Sequence, residues 1–161
     1  MSSHAPGYET RRGLRQVCQH TVTIEAPLEM VWSALSAFGA LKFWMPASVR
    51  SCYVLEDKPQ PPALGAVRRV GSSDGAVTDE ILEVWDLDNH FISYRLERNP
   101  AWPMTGPRGS MKMRPVGKDS TEVLWAVDAE DITEENRKAI AAGLEPFMET
   151  CMAEVNRLLT K

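Results

Sequence analysis

The strongest constraint on this chain lies near its C-terminal end. Ile140, Leu144, Phe147, Met148, Cys151, Met152, Val155, Leu158 and Leu159 recur at spacings of three and four, the repeat of one apolar helix face. Asp131-Ile-Thr133-Glu-Glu marks where the helix begins. Thr133 is its cap, and Glu134 and Glu135 suit the positive end of the helix dipole. Extended toward Thr160, such a helix is ~40 Å long at ~1.5 Å per residue. That is enough to cross a small sheet completely. Gly143 and Pro146 interrupt the pattern. Pro146 removes a helical hydrogen bond and predicts a kink or break near Ala142.

The residues ahead of this helix supply the sheet. From Gln16, Val22 and Ile24 alternate with Thr21 and Thr23, a strand pattern. Ala26-Pro27 ends it, and Pro27 opens a helix in which its missing N–H costs nothing. Met30, Val31, Ala34, Leu35 and Phe38 follow at helical spacing until Gly39 stops them. A second short helical piece, Ala40 to Trp44, ends before Met45-Pro46. Further strands are expected over 49–55, 65–71, 76–85, 90–97, 110–114 and 121–127. Ser72-Ser73-Asp74-Gly75 and Asp86-Leu87-Asp88-Asn89 are the turns, and Gly117 joins the last two strands. Pro59, Pro61 and Pro62 mark a loop, and 98–107 is a long irregular one. The expected architecture is α+β: a curved antiparallel sheet of about six to seven strands around a long C-terminal helix, with two short helices after strand 1. A gap between such a sheet and its helix is a small-molecule cavity.

Composition narrows the function. A chain of 161 residues and 18.0 kDa is one domain, here 16–161, behind a loose tail over 1–15 in which Arg11, Arg12 and Arg15 form a solvated cluster. Eighteen basic against 22 acidic residues, net −4, argues against nucleic acid as a partner. No apolar run approaches the ~20 residues of a membrane span. Residues 1–15 carry no apolar stretch of the kind that opens a secretory signal. Cys18, Cys52 and Cys151 are scattered and odd in number, which fits a reducing, cytoplasmic setting and buried thiols. No metal-ligand spacing, phosphate-binding glycine loop or serine-hydrolase signature is present, so neither a metal nor an organic cofactor is expected. His20, with apolar parity mates Val22 and Ile24, reads as a satisfied core histidine, and His90, after a turn, as a rim or solvent residue. A homodimer is compatible with all of this.

The stretch Val22-Thr-Ile-Glu-Ala-Pro-Leu-Glu-Met-Val-Trp32 resembles the opening of the START-like (SRPBCC) superfamily: a strand, an Ala-Pro corner and a Val-Trp helix. The resemblance continues through Val49-Arg-Ser-Cys52, Gly65-Ala-Val-Arg-Arg69, Asp79-Glu-Ile-Leu-Glu83 and Thr133-Glu-Glu135, and covers roughly residues 17–160. It points to the polyketide cyclase/dehydratase branch, with alignable similarity to plant abscisic-acid receptors. It implies a helix-grip fold, a deep apolar cavity between sheet and helix, and no organic cofactor. The fold hosts many activities, so this is weaker guidance to a reaction.

The resemblance also implies site residues. Arg50 matches a receptor lysine that holds a ligand carboxylate. Parity groups Arg50 with Cys52 and Val54 against Val49, Ser51 and Tyr53 without saying which set faces inward. Glu80 matches a cavity glutamate. A three-residue loop, Ser73-Asp74-Gly75, puts Arg68 opposite it, whereas a two-residue loop puts Arg69 there. The alignment favours Arg68, and both members of the pair should be inside or neither. Tyr94 matches an aromatic cavity position and reads equally as a core tyrosine. Trp125 stands where the receptors have a glutamate, which makes the deep end more apolar. Met111, Met113, Met148 and Met152 are expected to line cavity or core, and Met111, Met113 and Met148, with Leu144, are the expected ligand contacts among them. Trp102 and Met104 lie on a loop where the family has an entrance gate, with Pro62-Ala-Leu-Gly65 as the opposite lip. The receptors' signalling gate sequence is not reproduced in either loop.

Two functions follow as expectations. One is an enzyme that folds a small aromatic or polyketide-like molecule toward cyclisation or dehydration. In it Arg50 and Arg68 would hold an oxyanion, Tyr94 would polarise a carbonyl and Glu80 would move a proton. The other is a non-catalytic carrier or sensor of a hydrophobic ligand. A third, an interaction module with a filled core, predicts no cavity.

Overall fold

The computed structural model describes residues 13–99 and 102–160. Strands β1 (Arg15–Ile24), β2 (Val49–Val54), β3 (Val67–Ser72), β4 (Val77–Asp86), β5 (Phe91–Asn99), β6 (Arg108–Gly117) and β7 (Ser120–Ala129) make one antiparallel sheet in the order β1-β7-β6-β5-β4-β3-β2. Helices α1 (Leu28–Leu35) and α2 (Leu41–Trp44) follow β1, and α3 (Glu134–Leu159) closes the chain. This is the α+β helix-grip arrangement expected from the sequence. Apart from the β1–β7 pairing, which joins the first and last strands of the chain, neighbouring strands of the sheet are consecutive in sequence. Residues 1–12, most of the expected tail, lie outside the described residues. Arg15 instead opens β1, where its guanidinium bonds the Ile132 carbonyl and stands 4.0 Å from Asp131.

The hairpin between β3 and β4 fixes the register that matters most. Ser72 N–H bonds Ala76 O at 2.8 Å, and Gly75 takes φ +87°. That conformation costs glycine little and other residues more. The resulting three-residue loop pairs Arg68 with Glu80 and Arg69 with Asp79. A slip of one residue would send each side chain to the other face.

Helix α3 is capped by Thr133, whose hydroxyl accepts from Asn136 N–H at 3.2 Å. Met148, Cys151, Met152 and Val155 are its buried stripe. The expected break at Pro146 does not occur, since the helix runs 26 residues through it. Pro146 and Ala142 are both exposed, so the carbonyl that loses its partner faces water and the loss is tolerated. Thr121, fully buried, ties β7 to the Ala-Pro corner by donating to Ala26 O at 2.8 Å.

Candidate functional site

Between α3 and the sheet lies a cavity of about 380 Å³. Strands β3, β4 and β5 floor one end with Arg68, Glu80 and Tyr94. Trp125 and Val127 of β7 stand beside them, and Gly143, Leu144, Phe147 and Met148 of α3 cover them. Leu41 and Met45 of the α2 region, Trp102 and the Ser72–Asp74 turn complete the wall.

The polar centre is built on the Arg68–Glu80 pair. Arg68 is 3% exposed and Glu80 7%. Arg68 Nε and Nη2 both donate to Glu80 Oε2, and Nη1 donates to the Phe38 carbonyl at 3.1 Å. The guanidinium carbon stands 4.5 Å over the Phe38 ring and 4.7 Å over the Tyr94 ring, within cation–π range. Each nitrogen of Arg68 thus already has a protein partner.

Tyr94 is 5% exposed, and burial pushes its phenol up to about 12, with the Glu80 carboxylate adding to the rise. The nearby Arg68 guanidinium and Trp125 indole moderate the shift. The phenol therefore stays protonated at neutral pH and can donate. The Trp125 N–H is buried with no partner at hydrogen-bonding geometry among the described residues. Trp125 meets Trp44 edge-on at 5.8 Å and Phe147 at 5.9 Å. Gly109 sits opposite Tyr94 across the β5–β6 ladder, and a Cβ there would lie 2.5 Å from Tyr94 Cζ. The tyrosine ring occupies the space that any side chain at 109 would need.

Several expectations from the sequence are corrected. Arg50 is exposed at an irregularity of β2 and lies outside the cavity wall. Met111 and Met113 are buried core residues, and Met104 packs on the core from the loop. None of these methionines lines the cavity. Besides Trp102 the wall takes in the Ser72–Asp74 turn, whereas Leu64 is exposed and does not line it. Of the gate segment 99–106, Pro100 and Ala101 lie outside the described residues. The rest is pinned, with Thr105 bonded to Glu130 and Asp131 by backbone hydrogen bonds.

The histidines also differ from expectation. His20 is half-buried, with Nε2 enclosed and without a hydrogen-bond partner among the described residues. His90 is largely buried. It stands edge-on to Trp32 at 5.4 Å, with Nε2 2.9 Å from Glu29 Oε1. Neither lines the cavity.

The sequence reading missed Phe38, Leu41, Met45, Gly109, Phe147 and the Ser72–Asp74 turn. A glycine inside a strand signals close approach, which would have singled out Gly109. Phe38 carried no signal beyond helical spacing, because its role rests on its backbone carbonyl.

Cys18 and Cys151 are buried and Cys52 half-buried, all free. Burial pushes the first two thiols up to about 11 and about 12 and raises the third. No cluster of three or more His, Cys, Asp or Glu is placed to hold a metal among the described residues. No helix among them is long and apolar enough to cross a membrane.

The sequence profile of the family described as polyketide cyclase / dehydrase and lipid transport matches residues 15–160. The chain belongs to this family. It is thereby a member of the START-like superfamily. No curated protein matches it by sequence. Among solved structures, the family fold recurs in the Zhui aromatase/cyclase of a Streptomyces species, 18% identical, with TM-score 0.70 over 91% of this chain and 94% of that one. It recurs in a point mutant of norcoclaurine synthase from Thalictrum flavum in complex with a transition-state analogue, 16% identical, TM-score 0.69, 89% and 92% covered. A major latex-like protein of Panax ginseng is 14% identical, with TM-score 0.69 over 89% and 97%.

Proposed function

We propose that the protein binds a small aromatic or polyketide-like molecule in the cavity between α3 and the sheet. The observation that carries this reading is the cavity itself. About 380 Å³ falls in the ~300–1,000 Å³ range of small-molecule sites, and the wall is largely apolar and aromatic with a few convergent polar groups at one end. Family membership and the aromatase/cyclase and synthase neighbours support it.

Glu80 fits a binding role better than a proton-transfer role. Its Oε2 is taken by two Arg68 donors, so the carboxylate is engaged in an ion pair. Catalysis of cyclisation or dehydration is the second reading, and Tyr94 favours it. Its protonated phenol can donate to a ligand carbonyl and stabilise developing negative charge on that oxygen. The walls would hold a flexible substrate in a reactive shape, an effect worth up to ~7–11 kcal/mol.

Native mass spectrometry of the purified protein tests the binding reading. A retained aromatic or acyl molecule, displaced by added ligand, is the expected result. A protein that retains nothing and takes up no apolar aromatic at millimolar concentration contradicts it. Incubation of the retained molecule with wild type and Tyr94→Phe separates the two readings. Turnover lost in the variant identifies the enzyme, whereas an unchanged molecule in both identifies the carrier.

A further inference from the structure

We infer that the cavity admits uncharged ring compounds and refuses carboxylates, and that Glu80 sets this preference. The inference rests on the ligand-binding reading above and deepens it. It comes from the charge inventory of the wall. Arg68 is the one cation among the described lining residues, against two acids, Glu80 and Asp74. At the buried end Arg68 and Glu80 pair with each other and leave no net positive charge. Arg68 is already paired with the Glu80 carboxylate. Its three nitrogens donate to Glu80 Oε2 and to Phe38 O, and its flat surface is stacked on Phe38 and Tyr94. Arg50, the other arginine that could have met an acid, is exposed outside the wall.

A carboxylate entering this space would lose its hydration and find no uncommitted cation. That penalty is large unless a buried charge is paired. An uncharged ligand meets the opposite situation. The donor that a ligand can meet is the protonated Tyr94 hydroxyl, suited to a ketone or ether oxygen. The rings of Trp102, Trp125 and Phe147 supply flat apolar surface around that oxygen.

A matched pair of probes reads the preference directly. The methyl ketone 2-acetylnaphthalene and 2-naphthoate share size and shape and differ in a methyl group against a charged oxygen. Titration of the full chain at pH 7, followed by calorimetry or tryptophan quenching, should give a dissociation constant at least about tenfold lower for the ketone, the equivalent of ~1.4 kcal/mol. In Glu80→Gln, Arg68 keeps its charge but loses its counter-charge. The ratio should then move toward naphthoate by about tenfold or more, with circular dichroism confirming that the variant is folded. Wild type that binds naphthoate as tightly as the ketone overturns this inference and leaves the ligand-binding reading intact. A folded Glu80→Gln with an unchanged ratio overturns the role given to Glu80. Failure of both probes to bind overturns the ligand-binding reading and this inference with it. Where the variant does not fold, the wild-type ratio alone decides.

Discussion

Arg68, Glu80, Tyr94 and Gly109 behave as one unit, because each fills or neutralises what another leaves open. Arg68→Ala or Glu80→Ala strands a buried charge and should cost about 3–5 kcal/mol in urea unfolding. The Arg68→Met/Glu80→Leu double variant should cost less than the sum of the two, since it removes both charges together. Additive losses would mean that the pair is not coupled. Gly109→Ala forces its Cβ against the Tyr94 ring and should destabilise by about 1–3 kcal/mol, with loss of ligand binding. On the far side of the same hairpin, Arg69 donates to both Asp79 oxygens at 2.7 and 2.8 Å and holds that carboxyl below the usual range, against its partial burial. A depressed carboxylate stabilises the fold above its unfolded value, ~3.9, and loses that contribution as pH falls through the folded value. Asp79→Asn should therefore lower the unfolding midpoint at pH 7 and leave it unchanged at pH 2. An equal deficit at both pH values would contradict the assignment.

Elements divide by how local their determinants are. The stripe of α3, its Thr133 cap, the Pro27 start and the three-residue hairpin loop were all legible, because each depends on spacing or on one residue's backbone preference. The face of β2 was not, because an irregularity at Arg50 breaks the parity on which the reading depends. Pro146 misled for a related reason: the rule against proline assumes that the lost hydrogen bond stays dry, and here it faces water. Pro146→Ala should restore that bond and raise stability by about 1–3 kcal/mol, read as a higher denaturant midpoint with an unchanged slope. A drop in midpoint would mean that the proline holds the α3 wall of the cavity in shape. The candidate site was half legible. Arg68, Glu80, Tyr94, Trp102 and Trp125 came from the family resemblance and Leu144 and Met148 from the apolar stripe of α3, and all seven lie around the cavity. Met111 and Met113 share their apolar character but lie deeper in the core, a distinction of depth that one-dimensional pattern does not carry.

At the scale of the whole molecule, the sheet wraps one helix and leaves its larger described space where chain segments distant in sequence supply one polar cluster and three aromatic rings. The binding account makes that space the working part. It can be read through methionine methyl groups, which report where a ring compound sits by its ring current. Met45 and Met148 line the cavity; Met30 is exposed on α1 and Met104 packs on the core outside the wall. The decisive measurement is a methyl-labelled NMR titration with 2-acetylnaphthalene. The account predicts saturable shifts at Met45 and Met148 with Met30 and Met104 unmoved. Shifts confined to Met30, or none at Met45 and Met148 at saturating ligand, would contradict it.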